Sequence, residues 1–391
     1  IIYKYILGGF IYMKFSIQRA SFIKYLNDVQ RAISSKTTID ILTGLKMDLS
    51  KDALTLTGSN SDISIETIIS IADDNAALQI EQEGAVVLPA RFFSEIVKKL
   101  PEQTMTIEIN ERFQATITSG SAEFTINGLN AEEYPHLPEI DSKDQLTVPG
   151  DILKQVISQT VIAVSNQESR PILTGIHLVI KNGELLAVAT DSHRLSQRII
   201  KLSGADDAVY DVIIPGKSLS ELSKMISDSD ENIEIQISEN QALFILGNTS
   251  FYTRLLEGKY PDTERLIPKV SEITVDFNAV ELLQSIERAS LLSHEGRNNV
   301  VKLAINPSAQ SVILSGNTPE VGNVEEELHF KNLEGSELEI SFNPDYMKDA
   351  LRSFGQSEIT IAFTQPLRPF TIVPTEDKDN FVQLITPVRT F

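Results

Sequence analysis

Five histidines, His136, His177, His193, His294 and His329, are the natural candidates for proton transfer or metal binding in this chain of 391 residues. None is placed in an H-x-x-x-H or H-E-x-x-H arrangement, the spacing that turns two imidazoles toward one metal ion. Cysteine is absent, which removes thiolate nucleophiles, sulfur-ligated metals and disulfides together and fits a reducing cytoplasm. No phosphate-binding glycine loop, dinucleotide-binding turn or nucleophile elbow occurs. The most suggestive run is Ala189-Thr190-Asp191-Ser192-His193-Arg194-Leu195, where an aspartate stands two residues before a histidine. By itself an Asp-x-His pair predicts a turn capped by Asp191, with His193 packing locally. Asp and Glu number 54, too many for any pair to stand out as acid and base. An enzyme therefore has no anchor in these residues, and no catalytic group, metal or cofactor is expected.

What the chain does repeat is a structural unit. A strand-like apolar residue, a turn or helix-start pair and a short amphipathic helix recur six times, beginning at Ile17, Leu88, Val148, Ile214, Phe277 and Phe342. Five residues on, each copy has a large apolar side chain: Phe22, Phe93, Leu153, Leu219, Leu282 and Met347. Nine on, five copies have another, at Leu26, Val97, Ile157, Ile286 and Leu351, with Ser223 the exception. This spacing puts an apolar stripe on one helix face. Pro89, Pro149 and Pro215 stand where helices open, a position at which the missing N–H costs nothing. Between the helices the period is two, as in Lys46-Met47-Asp48-Leu49, Leu54-Thr55-Leu56-Thr57, Ile63-Ser64-Ile65, Thr106-Ile107-Glu108-Ile109 and Ala115-Thr116-Ile117-Thr118. Such alternation predicts antiparallel strands with one buried and one wet face. Lys181-Asn182-Gly183-Glu184 has the turn residues of a tight hairpin.

A longer period lies above the short one. Ile41-Leu42-Thr43-Gly44 returns as Ile172-Leu173-Thr174-Gly175, and Glu133-Tyr134-Pro135 returns as Lys259-Tyr260-Pro261, with Pro387 the same distance further on. Two short units make a larger one, and three larger units make the chain. The expected class is α+β, with three homologous domains of two helices each on antiparallel sheets. Boundaries are expected after the Tyr-Pro segments, giving domains over 13–138, 139–268 and 269–391. Residues 1–12 are hydrophobic but lack a basic leader and an A-x-A site, so they are read as an extension outside the fold.

Apolar residues make up 41% of the chain, and no run approaches the roughly 20 apolar residues of a membrane span. The net charge of −20 argues at first against a nucleic-acid partner. That charge is unevenly spread: the six helix windows (20–33, 89–100, 149–164, 215–227, 278–292 and 344–354) together carry +3. Lys and Arg are good helix formers, which explains part of the bias. The sharper reading is a surface that polyanions can approach on a protein that otherwise repels them.

These residues carry a resemblance. Met13-Lys14-Phe15, Val87-Leu88-Pro89-Ala90-Arg91, the 189–195 run, Tyr260-Pro261-Asp262 and Leu384-Ile385-Thr386-Pro387-Val388-Arg389 all resemble the bacterial DNA polymerase III β subunit, the replicative sliding clamps. The likeness runs from Met13 to Phe391, and the 189–195 run is its most specific part. It departs at Ser192, commonly glycine in the family, and at Thr390-Phe391, where the family often has a single leucine. The resemblance implies the DNA-clamp fold, two chains closing head to tail into a homodimeric ring, and duplex DNA encircled without regard to sequence. It also implies helices lining the hole, a cytoplasmic, nucleoid-associated location and no membrane partner. Topology then holds the DNA, so weak phosphate contacts suffice.

The site residues follow from the same resemblance. A hydrophobic peptide-binding cleft is implied at Leu173, Thr190, Ser192, His193, Arg194, Leu195, Pro261, Arg265, Leu266, Leu367, Pro369, Thr386, Pro387, Val388 and Arg389. Its partners would be the α-type polymerase of the holoenzyme, the clamp loader, and other polymerases, repair and ligation proteins with clamp-binding motifs. DNA contacts are implied at Lys36, Arg91 and Gln167. Two positions where some members place aromatics beside DNA read Pro171 and Ile172. Ring closure is implied between Phe124 and Ile126 of one chain and Leu291 and Leu292 of the next. Two rival readings are a clamp-like scaffold that binds partners without encircling DNA, and an enzyme of unknown type on this fold.

Overall fold

The computed structural model describes residues 11–137, 140, 145–202, 208–227, 232–293, 299–318 and 321–389. The expected boundary at 138, His294 and the last two residues lie outside these. Six α-helices occur among the described residues: α1 (Arg19–Gln30), α2 (Ala90–Lys99), α3 (Gly150–Thr160), α4 (Gly216–Met225), α5 (Ala279–Ser293) and α6 (Pro344–Phe354). They coincide with the six windows, and the stripe explains why. Phe22, Phe93, Leu153, Leu219, Leu282 and Met347 are all buried, as are Leu26, Val97, Ile157, Ile286 and Leu351. In α4, Leu222 takes the buried place that Ser223 cannot fill. Strands ending at Pro89, Pro149 and Pro215 each run straight into a helix, since proline's fixed φ suits the turn before the first helical residue. Asn343 caps α6 by accepting from Asp345 N–H at 2.8 Å, the usual role of a short polar side chain there.

The chain forms two compact units, one of residues 1–150 and 224–254, the other of 151–223 and 255–391. They cut across the sequence repeats, and the sheets show why. The first unit holds a five-stranded sheet in the order Gln79–Gln82, Ile11–Gln18, Thr104–Asn110, Gln114–Ser119, Ala122–Asn127. It also holds a nine-stranded sheet in which Ile63–Ser70, from the first repeat, pairs with Thr249–Arg254, from the second. The second unit has a four-stranded sheet, Gly322–Glu327, Ser311–Thr318, Val301–Asn306, Leu338–Phe342. Its own nine-stranded sheet joins Arg194–Lys201 of the second repeat to Phe381–Ile385 of the third. The two junctions match in register: Thr253 faces Ile63 and Arg254 N–H reaches Asp62 O, while Ile385 faces Arg194 and Thr386 N–H reaches His193 O. All described strand pairs are antiparallel.

Aromatic contacts tie the helices to one another and to the sheets, and the strands among themselves. Phe22 of α1 meets Phe93 of α2 edge to face at 5.9 Å, Phe354 of α6 lies 4.7 Å from Phe381 of the sheet below, and Phe370 contacts the strand residues Phe342 and Phe363 at 5.6 and 5.1 Å in the core of the third repeat. The hairpin at Asn182-Gly183 has φ of 54° and 72°, the left-handed pair that a two-residue turn needs. The first strand begins at Ile11, two residues earlier than expected. Ile11 pairs with Asn110, and Tyr12 packs edge-on against Phe113 at 5.5 Å. Apolar residues at a strand start extend an existing ladder at little cost, and that pairing depends on a partner strand nearly 100 residues away.

Gly335 follows the short strand Asn332–Glu334 with φ of 111°, and a Cβ there would lie 2.2 Å from Glu272 O. Gly335→Ala is expected to cost about 1–3 kcal/mol, because both the left-handed backbone and the carbonyl must yield. A fall in the denaturant midpoint with an unchanged m-value checks this; an unchanged midpoint shows that the loop relaxes freely.

Candidate functional site

The 189–195 run leaves the strand Glu184–Thr190, turns, and enters Arg194–Lys201. Asp191 does what the local reading expects: its Oδ1 accepts from His193 N–H at 2.9 Å and from Arg194 N–H at 3.0 Å. Ser192 sits at the apex with φ of 82°. That is the left-handed region, which explains physically why glycine suits the position. Its N–H donates to Thr190 Oγ1 at 3.2 Å, and its hydroxyl accepts from Arg170 Nη1 at 3.0 Å. Serine is thus held there by two hydrogen bonds, and the turn keeps its shape.

Arg194 is the strongest electrostatic feature of the turn. Its guanidinium donates to Asp191 at 3.1 Å and to Asp349 of α6 at 2.7 Å, and lies 4.6 Å from the ring centre of Tyr346. Two carboxylates and an aromatic face therefore hold one half-buried cation, a combination of charge-assisted bonds and cation–π attraction. The His193 ring is exposed and stacks over Tyr346 at 6.4 Å. Asp349 and Tyr346 were not among the expected site residues. No signal in the sequence pointed to them, since they lie on another repeat.

Beneath the turn, Leu173 and Leu195 are buried in one cluster with Val188, Ile213, Tyr260 and Leu384. Tyr260 Oη accepts from Thr190 N–H at 3.0 Å, and burial pushes its hydroxyl up to about 12. It stays protonated through the physiological range and pins the turn to the floor. The Tyr-Pro repeat in the sequence was the signal for this residue. The chain's end closes over the other side: Thr386 N–H and Oγ1 both donate to His193 O, at 2.9 and 2.8 Å, and Val388 N–H donates to Ser341 O at 2.7 Å.

The remaining expected cleft residues lie nearer the surface. Pro369, Pro387 and Val388 are half-buried; Pro261, Arg265, Leu266, Leu367 and Arg389 are exposed, with Arg265 paired to Asp262 at 2.7 Å. Leu173, Thr190, Arg194, Leu195 and Thr386 are thus joined to one another or to the turn by direct contacts. Pro261, Leu266, Leu367 and Val388 are not part of the buried cluster. Apolar side chains left half in water beside a firm floor suit a strand-like ligand.

The other residues fall in both units. Lys36 is exposed in the loop after α1, its N–H donating to Ser34 Oγ at 3.1 Å. Arg91 is the second residue of α2, exposed, with Nε 3.6 Å from Glu95. Gln167 is exposed in the second unit, its N–H bonded to Ser165 Oγ at 3.1 Å. Pro171 is exposed, whereas Ile172 packs against the Leu173 cluster. Phe124 and Ile126 lie on Ala122–Asn127, the outer strand of the five-stranded sheet, and Phe124 is 40% exposed. Leu291 and Leu292 are in the last turn of α5; Leu291 is 72% exposed and Leu292 half-buried. Among the described residues, no group of three His, Asp or Glu side chains is set to hold a metal ion, and no helix is long and apolar enough to cross a membrane.

Repeated helix-on-sheet units, joined by antiparallel sheets that run from one repeat into the next, define a repeated α+β architecture. Comparison with known proteins makes the class specific. Family models for the N-terminal, central and C-terminal domains of the DNA polymerase III beta subunit match residues 13–138, 147–262 and 264–389. The beta sliding clamp of Bacillus subtilis is 51% identical over 380 residues, 97% of this chain and all of the relative, and that of Staphylococcus aureus (strain N315) is 46% identical over the same coverage. The crystal structure of the Bacillus subtilis clamp superposes with a TM-score of 0.93 over 97% of this chain and all of that one. A Pseudomonas aeruginosa clamp bound to griselimycin, 25% identical, gives 0.89 over 98% of this chain and all of that one. The chain belongs to the bacterial DNA polymerase III beta subunit family. It is a DNA sliding clamp with the three-domain clamp fold, a non-catalytic processivity subunit whose partners are DNA and polymerase.

Proposed function

We propose that two copies of this chain close head to tail around duplex DNA, and that the cleft around the Asp191–Arg194 turn tethers the α-type replicative polymerase. The same cleft serves the clamp loader and the repair, ligation and other polymerase proteins that carry a clamp-binding motif, in the cytoplasm at the nucleoid. The observation that carries this reading is the closure of the chain's end on the turn, through Thr386 on His193 O. It brings Pro387, Val388 and Arg389 beside residues nearly two hundred positions earlier, as a composite peptide groove requires. The fifteen cleft residues, from Leu173 to Arg389, are assigned to that groove. The domains are taken as 13–138, 139–268 and 269–391.

Ring closure is assigned to Phe124 and Ile126 against Leu291 and Leu292 of the next copy. Both sit where an isolated chain leaves apolar surface and a sheet edge open. Duplex contacts are assigned to Lys36, Arg91 and Gln167. Retention on a nicked circle after loading, with release once the circle is cut, tests encirclement against a scaffold that only binds partners; release that ignores cutting removes the topological reading.

Lys36→Ala with Arg91→Ala is expected to weaken direct DNA binding about tenfold at low salt, since each removed phosphate contact lowers the salt slope by about one. Peptide affinity should not change. Because salt already screens the wild type, the gap between the two proteins should narrow as salt rises, which a titration at several ionic strengths reads out. An equal loss at every salt concentration points to misfolding and removes the assignment.

A further inference from the structure

The outer faces of the helices are largely polar, and α2 breaks that pattern at one residue. Phe92 is 62% exposed, more than any other aromatic among the described residues. The core has no use for it: Phe93, its neighbour, fills the buried place against Phe22. Lys or Glu would make a better helix at an exposed position.

Its surroundings are cationic. With about 100° of rotation per residue, Arg91, Phe92, Glu95, Lys98 and Lys99 share the solvent-facing arc, while Ala90, Phe93, Ser94 and Val97 are buried. Lys99 lies two turns beyond Phe92 on almost the same line. Neither Lys98 nor Lys99 has an ion-pair partner among the described residues, and the one carboxylate of the arc, Glu95, lies beside Arg91. The platform is also firmly held, since Gln30 of α1 donates to Ala90 O at 3.1 Å and accepts from Ser94 Oγ at 3.0 Å.

We propose that Phe92 is a stacking platform for an unpaired DNA base, with Arg91 and Lys99 taking phosphates of the same strand. An aromatic face between cations matches single-stranded DNA, whose bases offer free π-faces beside a charged backbone. Duplex DNA keeps its bases stacked on one another and presents only phosphates to this arc. The face therefore prefers a duplex that continues into a single strand over a blunt one. The proposal rests on the DNA-binding reading above and adds to it a preference that reading does not contain.

Fluorescence anisotropy at low salt, with the full-length protein and three labelled DNAs, tests it: a blunt duplex, the same duplex with a thymidine overhang, and the thymidine strand alone. The wild type should bind the overhang more tightly than the blunt end. Phe92→Ala should lose about tenfold on the overhang and the single strand and leave blunt-duplex binding unchanged. Phe92→Tyr should restore the preference, whereas Phe92→Leu, apolar but not aromatic, should not. Thermal melting of each variant confirms that an exposed position tolerates the change. Equal loss on all three DNAs, or no loss on any, overturns the proposal, and the second outcome would leave the face to a protein partner. If the wild type binds none of the three, the DNA-contact assignment itself falls, which the variants cannot mimic.

Discussion

Removing residues 387–391 is expected to abolish binding of a Gln-Leu-Phe-type peptide while leaving the protein folded. The deleted end supplies Pro387 and Val388, both half-buried beside the turn, and the Val388 N–H that donates to Ser341 O. Burying one aliphatic or aromatic side chain of a ligand contributes about 1.5–3 kcal/mol, so losing one wall weakens binding by roughly a hundredfold or more. A motif of this size starts from micromolar affinity after ordering costs, and the loss takes it out of the measurable range. The fold should survive because the strand Phe381–Ile385 stays paired with Arg194–Lys201 and Phe370–Pro374, and Thr386 keeps its bonds to His193 O. Titration of a labelled peptide into both proteins, with melting curves alongside, separates the two effects. Undiminished affinity in the shortened chain would place the groove elsewhere and remove the whole cleft assignment.

Replacing Leu291 and Leu292 with alanine should convert the proposed dimer to monomers at micromolar concentration. Leu291 is 72% exposed in the single chain, so its side chain contributes little to the stability of the protomer. On the proposed ring closure, its burial, and that of Phe124 opposite, is realised only when two chains meet. Each leucine buried there contributes about 1.5–3 kcal/mol, and a head-to-tail ring repeats the contact at two interfaces, so the dimer constant should shift by several decades. Leu292 is half-buried, so a small loss in melting temperature is expected besides. Sedimentation at micromolar concentration decides the matter, and a double variant that remains a tight dimer shows that these leucines face solvent in the assembly too.

The local architecture was legible because its causes are local. Phe22 with Leu26 and Phe93 with Val97 sit one turn apart, so the period alone marks a buried helix face, and each of these residues is in the core. The turn at Asn182-Gly183 was legible for the same reason: the two residues carry their own preference for positive φ. The surroundings of the Asp191–Arg194 turn were legible only in part. The local turn followed from Asp191, but Tyr346 and Asp349, which hold Arg194, carry no mark in the sequence because they lie more than 150 positions away on another repeat. Ser192 broke a family pattern, and only its φ of 82° with the bond from Arg170 shows how serine occupies a place that suits glycine.

By itself, then, the sequence determined the repeat, the six helices, the antiparallel character of the strands and the placement of positive charge on helical faces. These depend on backbone sterics and on apolar periods of two and 3.6, which act over a few residues. Tertiary structure decided which strand edges meet. The pairing of Ile63–Ser70 with Thr249–Arg254, and of Arg194–Lys201 with Phe381–Ile385, makes compact units that straddle the repeats, because a strand edge carries unpaired N–H and C=O groups but no code for its distant partner. It also decided that Phe92 and Leu291 remain in water, since a side chain's exposure depends on what the rest of the chain leaves uncovered.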